Sequence, residues 1–265
     1  MLMENRYDNY IGVFDSGVGG ISILKECAAL LPNENFYYFG DSANNPYGDR
    51  SPEEVLALSM HAMEHMIKNG VKALVIACNT ATSIAGKELR KRYETDKFPV
   101  IGVEPAVKPA ALAPEGDRIL VMATANTLSQ KKYFQLVKNW GSDQEIIPLP
   151  CVGLAQRIEK GDFEGEDLLE LLHSLLDPYV GKVDSIVLGC THYPFIKKQI
   201  RQIMGKDIPL FDGGAGTARE LKRRLEAGEL LSESSAPGEI VFSSSIDAED
   251  ELNTYRWLYE QPVDP

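Results

Sequence analysis

Two cysteines, each followed by small polar residues, are the groups in this sequence most suited to chemistry. Cys78 precedes an Asn-Thr pair and Cys190 precedes a Thr-His pair, and each follows a short apolar run typical of a buried strand. A thiol near the start of a helix has a pKa lowered from about 8.5 toward neutrality, and the polar neighbours can hydrogen-bond it. The matched positions indicate two functional thiols, whereas Cys27 and Cys151 are predicted to be structural.

A glycine-rich turn provides the second chemical signal. The segment Asp15–Gly20 follows a predicted strand and opens a predicted helix, which is the usual place of an anion-binding turn. Its N–H groups could hold a small carboxylate ligand, with Asp15 as an acid–base partner. Alternatively, two of its glycines fit a dinucleotide-binding G-x-G-x-x-G pattern with Asp41 on the ribose, but Ser22 occupies the third glycine place. A tight turn without a ligand is the third interpretation.

Two other polar stretches carry weaker signals. Residues 40–48 form a polar loop after a predicted strand, with Pro46 favouring a turn. His61, Glu64 and His65 match the H-x-x-E-H pattern of one class of zinc peptidase. A zinc site needs a third protein ligand, so we interpret these residues as the solvated shoulder of a helix and expect no metal. No G-x-S-x-G motif of a serine hydrolase is present.

The elements that must position these groups alternate between strands and helices. Apolar runs that are mostly continuous predict strands buried on both faces of a parallel sheet. The predicted strands are Tyr10–Phe14, Phe36–Phe39, Ala73–Ala77, Val100–Val103, Ile119–Met122, Ile146–Leu149, Ser185–Leu188 and Ile240–Phe242. Amphipathic stretches lie between them, and one begins with a capping box at Ser51. This rhythm predicts an α/β fold with ligands at the carboxyl ends of the strands.

A weak internal repeat predicts the domain organisation. Residues 73–80 resemble residues 185–192, and each copy is preceded by another strand that ends in a polar turn. We therefore predict two similar parallel-sheet α/β domains that face each other in a pseudo-two-fold arrangement. The first would comprise residues 1–98 plus 210–265 and the second residues 99–209, with the active site between them.

The composition excludes several classes of protein. The 27 basic and 39 acidic residues give a net charge of −12, which argues against sequence-independent binding of nucleic acid. No apolar run approaches the ~20 residues of a membrane span, and the N-terminal stretch lacks the apolar core of a signal peptide. We therefore expect a cytoplasmic protein that binds neither nucleic acid nor membrane. No cysteine pair has C-x-x-C spacing, so the thiols are expected to be reduced.

The motifs together resemble those of the glutamate racemase family, within the aspartate/glutamate racemases. The opening segment Ile11–Gly20, the loop from Gly40 to Gly48, and the two cysteine motifs Ala77–Ala81 and Leu188–Pro194 occur in the order of that family. The resemblance spans about residues 11–216. It implies a cofactor-independent enzyme that interconverts L- and D-glutamate for bacterial peptidoglycan. It also implies a homodimer.

The resemblance implies roles for individual residues. Cys78 and Cys190 would be acid/base thiols on opposite faces of the substrate Cα, with Asp15 assisting Cys78. His192 would assist Cys190, and Glu159 would support His192. The residues implied to hold the amino acid are Asp15, Ser16, Tyr47, Gly48, Asn79, Thr80, Thr124, Thr191 and His192. The sequence departs from the family at Asn44, where a basic residue is common, and at Gln156-Arg157, where apolar residues are common.

The residue types also suit racemisation when they are considered independently of the family resemblance. Racemisation removes a weakly acidic Cα proton from one face and returns a proton to the other, so two bases on facing halves of a duplicated fold meet the geometric demand. Neutral donors around the carboxylate would stabilise the developing charge. No lysine stands in a pattern that implies pyridoxal phosphate. The alternatives are a racemase of aspartate or another small amino acid, a non-catalytic amino-acid-binding module, and a nucleotide-dependent oxidoreductase.

Overall fold

The computed structural model describes residues 6–114, 117–141 and 144–262, and the first five residues of the N-terminal stretch lie outside it. In these ranges the strands form two sheets, and every pairing is parallel. The strands of the first sheet are β1 (Tyr10–Asp15), β2 (Asn35–Gly40), β3 (Ala73–Ile76), β4 (Val100–Gly102) and β9 (Ile240–Ser244). Those of the second are β5 (Arg118–Ala123), β6 (Glu145–Pro150), β7 (Ser185–Leu188) and β8 (Leu210–Asp212).

Helices cover the sheets and connect successive strands, as a parallel arrangement requires. They are α1 (Ile21–Leu30), α2 (Pro52–Lys68), α3 (Asn79–Tyr93), α4 (Val107–Leu112), α5 (Ala125–Ser129), α6 (Lys131–Trp140), α7 (Leu154–Glu159), α8 (Glu166–Leu176), α9 (Lys197–Met204), α10 (Gly214–Ala227) and α11 (Glu249–Glu260). The predicted capping box is present, because Ser51 and Glu54 each bond the other's backbone N–H. None of the helices in the described ranges has the length and apolar character needed to span a bilayer.

The strand order confirms the internal repeat. The first sheet runs β4-β3-β1-β2-β9 and the second runs β6-β5-β7-β8. Read from β8, the second order is β8-β7-β5-β6, which is the same succession as β4-β3-β1-β2. The strands that precede the two cysteines, β3 and β7, therefore occupy equivalent places beside the central strands β1 and β5. The fold is α/β, with two parallel sheets built on the same plan.

Two strands belong to the other sheet than the predicted domain boundaries imply. β4 begins at Val100 but pairs with β3 of the first sheet, and β8 begins at Leu210 but pairs with β7 of the second. Each is the last strand of its repeat, only three residues long, and each follows a proline, Pro99 or Pro209, that gives the preceding segment the character of a linker. β8 has no counterpart among the predicted strands. The division into two domains itself stays a prediction.

One continuous apolar core joins the two sheets. It includes Ile11 and Val13 of β1, Leu120 and Met122 of β5, and Leu221 of α10. Helices α1 and α10 pack against each other within it. Burial of this shared apolar surface stabilises the contact between the repeats, so the strand ends of both sheets are held against one another.

Candidate active site

The carboxyl ends of four strands meet around one cavity. The chain leaves β1, β3, β5 and β7 directly into the polar segments that the sequence analysis identified. Most of the predicted site residues line this cavity, namely Ser16, Tyr47, Gly48, Cys78, Asn79, Thr80, Thr124, Cys190, Thr191 and His192. Asp15 and Glu159 contact lining residues from behind. The structure therefore brings together every residue that the resemblance implied.

Cys78 lies at the N-terminus of α3, as predicted, but its pKa moves in the other direction. Its Sγ accepts a hydrogen bond from the N–H of Ala81 at 3.4 Å, and its thiol donates to Oγ of Ser16 at 3.6 Å. Burial, together with the negative charge of Asp15, raises the pKa of Cys78 to about 12. The expected lowering at a helix start is wrong here, because desolvation outweighs the helix N–H groups.

Asp15 ends β1 and is completely buried beside Cys78. Its Oδ2 accepts from the N–H of Gly17 at 3.0 Å, and its Oδ1 accepts from Oγ1 of Thr191 at 3.2 Å. Burial raises the pKa of Asp15, while the charge of His192 and the Gly17 N–H oppose that shift. Asp15 is therefore held from both repeats at once.

Cys190 has a different set of neighbours. Its Sγ lies 3.5 Å from Nδ1 of His192, and Nε2 of His192 lies 2.6 Å from Oε1 of Glu159. Burial favours the neutral imidazole, but the charges and hydrogen bonds of Cys190 and Glu159 together outweigh it and raise the pKa of His192 well above its usual value. An imidazolium in this position can pair with a thiolate at Cys190.

Glu159 occupies the predicted position against His192, despite the unusual residues that precede it. It is the last residue of α7, and its Oε1 also accepts from the N–H of Val18 at 3.1 Å. The carboxylate thus joins the glycine-rich turn of the first repeat to the histidine of the second. Gln156, one of the unusual residues, donates to Oδ2 of Asp49 at 2.6 Å across the cavity mouth.

The glycines of the turn permit this close approach. A Cβ on Gly17 would lie 2.2 Å from Oε1 of Glu159, and a Cβ on Gly19 would lie 2.4 Å from Nδ1 of His192. The N–H groups of Gly17 and Val18 donate to protein carboxylates, those of Asp15 and Glu159. The turn does bind anionic groups, but these N–H groups already have partners and are not left for the phosphates of a dinucleotide.

Neutral polar groups line the rest of the cavity. Oγ1 of Thr80 lies 3.0 Å from Oγ1 of Thr124, so hydroxyls of the two repeats meet. Asn79 is buried, and its Oδ1 has no hydrogen-bond partner within the described ranges. An unpaired buried amide oxygen is costly, so a ligand donor such as an ammonium group would gain a strong interaction there.

The hydroxyl of Tyr47 is already engaged. It donates to Oδ2 of Asp41 at 2.6 Å, and Nδ2 of Asn44 donates to Oδ1 of the same carboxylate at 3.0 Å. Asn44, one of the two departures that the resemblance indicated, therefore contacts Asp41. Nδ2 of Asn126, on α5, holds this loop from the second repeat by donating to the carbonyl of Arg50 at 2.8 Å.

The weaker sequence signals lie elsewhere. His65 contacts the hydroxyl of Tyr37 through Nε2 at 3.2 Å, and its ring lies 5.2 Å from that of Phe39. Among the described residues, no group of three His, Cys, Asp or Glu side chains is placed to hold a metal ion. Cys27 is buried in the apolar core, whereas Cys151, predicted to be structural, lines the cavity. Ser22 and Asn126 make contacts between the repeats that the sequence analysis missed, because no local pattern marks them.

Comparisons with known proteins agree with this architecture. Residues 11–221 match the model of a family described as Asp/Glu/Hydantoin racemase. The chain is 48% identical over 251 residues to a glutamate racemase from Clostridium perfringens, covering 94% of this chain and 96% of the relative.

Solved structures resemble the chain over nearly its whole length. Glutamate racemase isoform RacE1 from Bacillus anthracis superposes with a TM-score of 0.84 at 29% identity, covering 96% of each chain. Glutamate racemase from Francisella tularensis in complex with D-glutamate superposes with a TM-score of 0.81 at 28% identity, covering 97% of this chain and 95% of that one. The family match and the identity to curated relatives extend over the strand ends that carry both thiols. This chain belongs to the Asp/Glu/hydantoin racemase family.

Proposed function

We propose that the protein interconverts L- and D-glutamate, using Cys78 and Cys190 as the two proton-transfer groups. The observation that carries the proposal is the pair of sulfurs from equivalent strands of the two repeats, both lining one cavity. Glutamate as the substrate is supported by the glutamate racemases that the chain resembles. The buried neutral donors around the cavity support a bound amino acid.

The mechanism follows from the different partners of the two thiols. With L-glutamate, the Cys190 thiolate removes the Cα proton while the imidazolium of His192 compensates the charge. The Cα–H bond breaks, its proton passes to sulfur, and the electron pair delocalises into the α-carboxylate. The Cys78 thiol then donates its proton to the opposite face of Cα. D-glutamate leaves, and the reverse reaction begins from the Cys78 thiolate.

The surroundings of Cys78 favour its protonated form, which is the form it needs when the enzyme binds L-glutamate. Burial and the charge of Asp15 raise its pKa to about 12, so the neutral form is the stable one before turnover. The hydroxyls of Thr80 and Thr124 and backbone N–H groups would hold the α-carboxylate while its charge grows. Each positioned proton-transfer group typically contributes ~10²–10⁴-fold to the rate.

Circular dichroism of D-glutamate incubated with the protein in D₂O tests the proposed function. We expect the signal to decay to zero without an added cofactor, while proton NMR shows deuterium replacing the Cα proton. A parallel incubation with D-aspartate distinguishes the substrate. Decay with aspartate alone would retain the thiols and change the substrate, and no decay with either would contradict racemisation.

The physiological setting is also part of the proposal. We propose a cytoplasmic homodimer that supplies D-glutamate for peptidoglycan, since the resemblance to glutamate racemases implies these properties. Sedimentation velocity of the purified protein is expected to give the mass of a dimer. Cells depleted of the protein are expected to need external D-glutamate for growth. A monomer at all concentrations, or growth without D-glutamate, would contradict these points.

A further inference from the structure

Ser22 joins the first turn of α1 to the segment that carries Cys190. Its Oγ lies 2.8 Å from the carbonyl oxygen of Thr191, in the other repeat, and 2.8 Å from the carbonyl oxygen of Gly19. The side chain is only 1% exposed, so water does not compete for either contact. A hydroxyl has one proton, which it shares between the two carbonyls or gives to one of them.

The contact lies at the point where the two repeats meet around His192. Thr191 stands between Cys190 and His192, and its own Oγ1 donates to Asp15. A Cβ on Gly19 would lie 2.4 Å from Nδ1 of His192, so the turn that precedes Ser22 packs directly on the imidazole. Any movement of Thr191 away from α1 would therefore move the thiol and its histidine together.

We propose that Ser22 is a positioning residue for proton transfer at Cys190. Its hydroxyl holds the Cys190–His192 segment against the glycine-rich turn and does not itself touch the substrate. By contrast, the described hydrogen bonds of Cys78 go to Ser16 and Ala81, and Ser22 reaches that side only indirectly, through Thr191 and Asp15, so its direct effect is at Cys190. This inference rests on the proposed two-thiol function, because it assigns Ser22 to one of its two steps.

The asymmetry gives a kinetic signature. Ser22→Ala leaves the Thr191 carbonyl without this donor, and a misplacement of 1 Å can slow a reaction by about 100-fold. We expect kcat to fall by about 10- to 100-fold in both directions, because each direction includes a transfer at Cys190. With L-glutamate deuterated at Cα, the deuterium moves in the slowed step and the isotope effect rises. With deuterated D-glutamate, Cys78 removes the deuterium in a fast step and the isotope effect falls toward unity.

Matched variants separate positioning from general damage. Ser59 is a buried serine on α2 whose hydroxyl has no partner within the described ranges, so Ser59→Ala is expected to change neither isotope effect. Ser22→Thr retains the hydroxyl and should restore the wild-type isotope effects. Ser22→Cys, which keeps the shape of the side chain but carries a larger and weaker donor, provides the measurement if Ser22→Ala does not fold.

The outcomes distinguish this inference from the proposed function. A wild-type protein that exchanges no Cα proton would overturn the proposed function itself. An active wild type with a Ser22→Ala variant whose two isotope effects stay unchanged, or change in the same direction, would overturn the role of Ser22. Opposite changes for the two enantiomers would establish it.

Discussion

The two thiols occupy equivalent positions of the repeat but differ in their electrostatic surroundings. Cys78 has a carboxylate, a hydroxyl and a helix N–H around it, and burial dominates, so its pKa rises to about 12. Cys190 has His192 at 3.5 Å, and Glu159 supports a positive charge on that ring. The repeat therefore places two sulfurs at equivalent positions, and their neighbours give each sulfur different charged groups nearby.

This difference matters because racemisation needs one base and one acid at any moment. If both thiols were neutral, neither could remove the Cα proton. If both were thiolates, neither could return it. A cation beside one sulfur and a carboxylate beside the other favour the mixed state. Substitutions that change the surroundings of one thiol at a time test this difference.

Removing either sulfur should have the largest effect. Cys78→Ala and Cys190→Ala are each expected to slow racemisation by about 10²–10⁴-fold or more, since one proton transfer is lost in both directions. Cys78→Ala should still exchange the Cα proton of L-glutamate with D₂O, through Cys190, and Cys190→Ala should exchange only that of D-glutamate. Normal racemisation by Cys78→Ala, measured by circular dichroism, would contradict the two-thiol mechanism.

Removing the cation should be the next largest change. His192→Gln keeps a hydrogen-bonding group of similar length beside Cys190 but cannot carry a positive charge. We expect kcat to fall by about 10²-fold, with the larger Cα isotope effect for L-glutamate. Steady-state assays with each deuterated enantiomer measure both quantities. Equal effects on both enantiomers would mean that His192 serves both thiols rather than Cys190 alone.

Glu159→Gln tests the support of the histidine and has a pH signature. The pKa of His192 is raised above the value of about 6.5 that it has in an unfolded chain. The interaction of Glu159 with the charged histidine therefore contributes its full stabilisation of the fold below about pH 6.5. This stabilisation is lost as the pH rises through the pKa of His192 in the native protein. We expect the free energy of unfolding of the wild type to exceed that of the variant by about 2 kcal/mol near pH 6.

Urea unfolding between pH 6 and pH 9 measures the difference in unfolding free energy between the wild type and the Glu159→Gln variant. This difference should become smaller as the pH rises. The side-chain amide oxygen of the Glu159→Gln variant would still accept from the N–H of Val18, so the charge is the property removed. A difference in unfolding free energy that stays constant between pH 6 and pH 9 would show that the histidine is neutral in the native protein. Asp167→Asn, at an exposed ion pair with Lys160, is a control expected to change stability by less than about 1 kcal/mol.

The strand ends explain how much of this site the sequence predicts. Each chemical motif follows directly from an apolar run, and parallel strands bring their carboxyl ends to one edge. Cys78, Cys190 and Thr124 are therefore placed by local pattern and the repeat. Glu159 is different, because its contact with His192 depends on where α7 ends, and the family resemblance supplied it.

What the sequence does not predict depends on packing between the repeats. The raised pKa of Cys78 comes from burial and from the charge of Asp15, which no local pattern reports. The contacts of Val18 with Glu159 and of Ser22 with Thr191 join residues far apart in the chain. The predicted boundaries assign β4 and β8 to the wrong repeats, because each follows a proline that gives the preceding segment the character of a linker. The predicted strands omit β8, because three residues are too short for a periodic signal.

The smallest effect is expected at the cavity mouth, where the repeats meet in solvent. Nε2 of Gln156 donates to Oδ2 of Asp49 at 2.6 Å, but the contact is exposed. In Gln156→Ala, water can therefore take the place of the lost hydrogen-bond donor. We expect the free energy of unfolding to change by no more than about 0.5 kcal/mol and kcat to stay within about twofold. A double-mutant cycle with Asp49→Ala measures the coupling, which should be equally small. A coupling above about 2 kcal/mol would mean that the repeats are held together at the mouth of the cavity as well as at the buried turn.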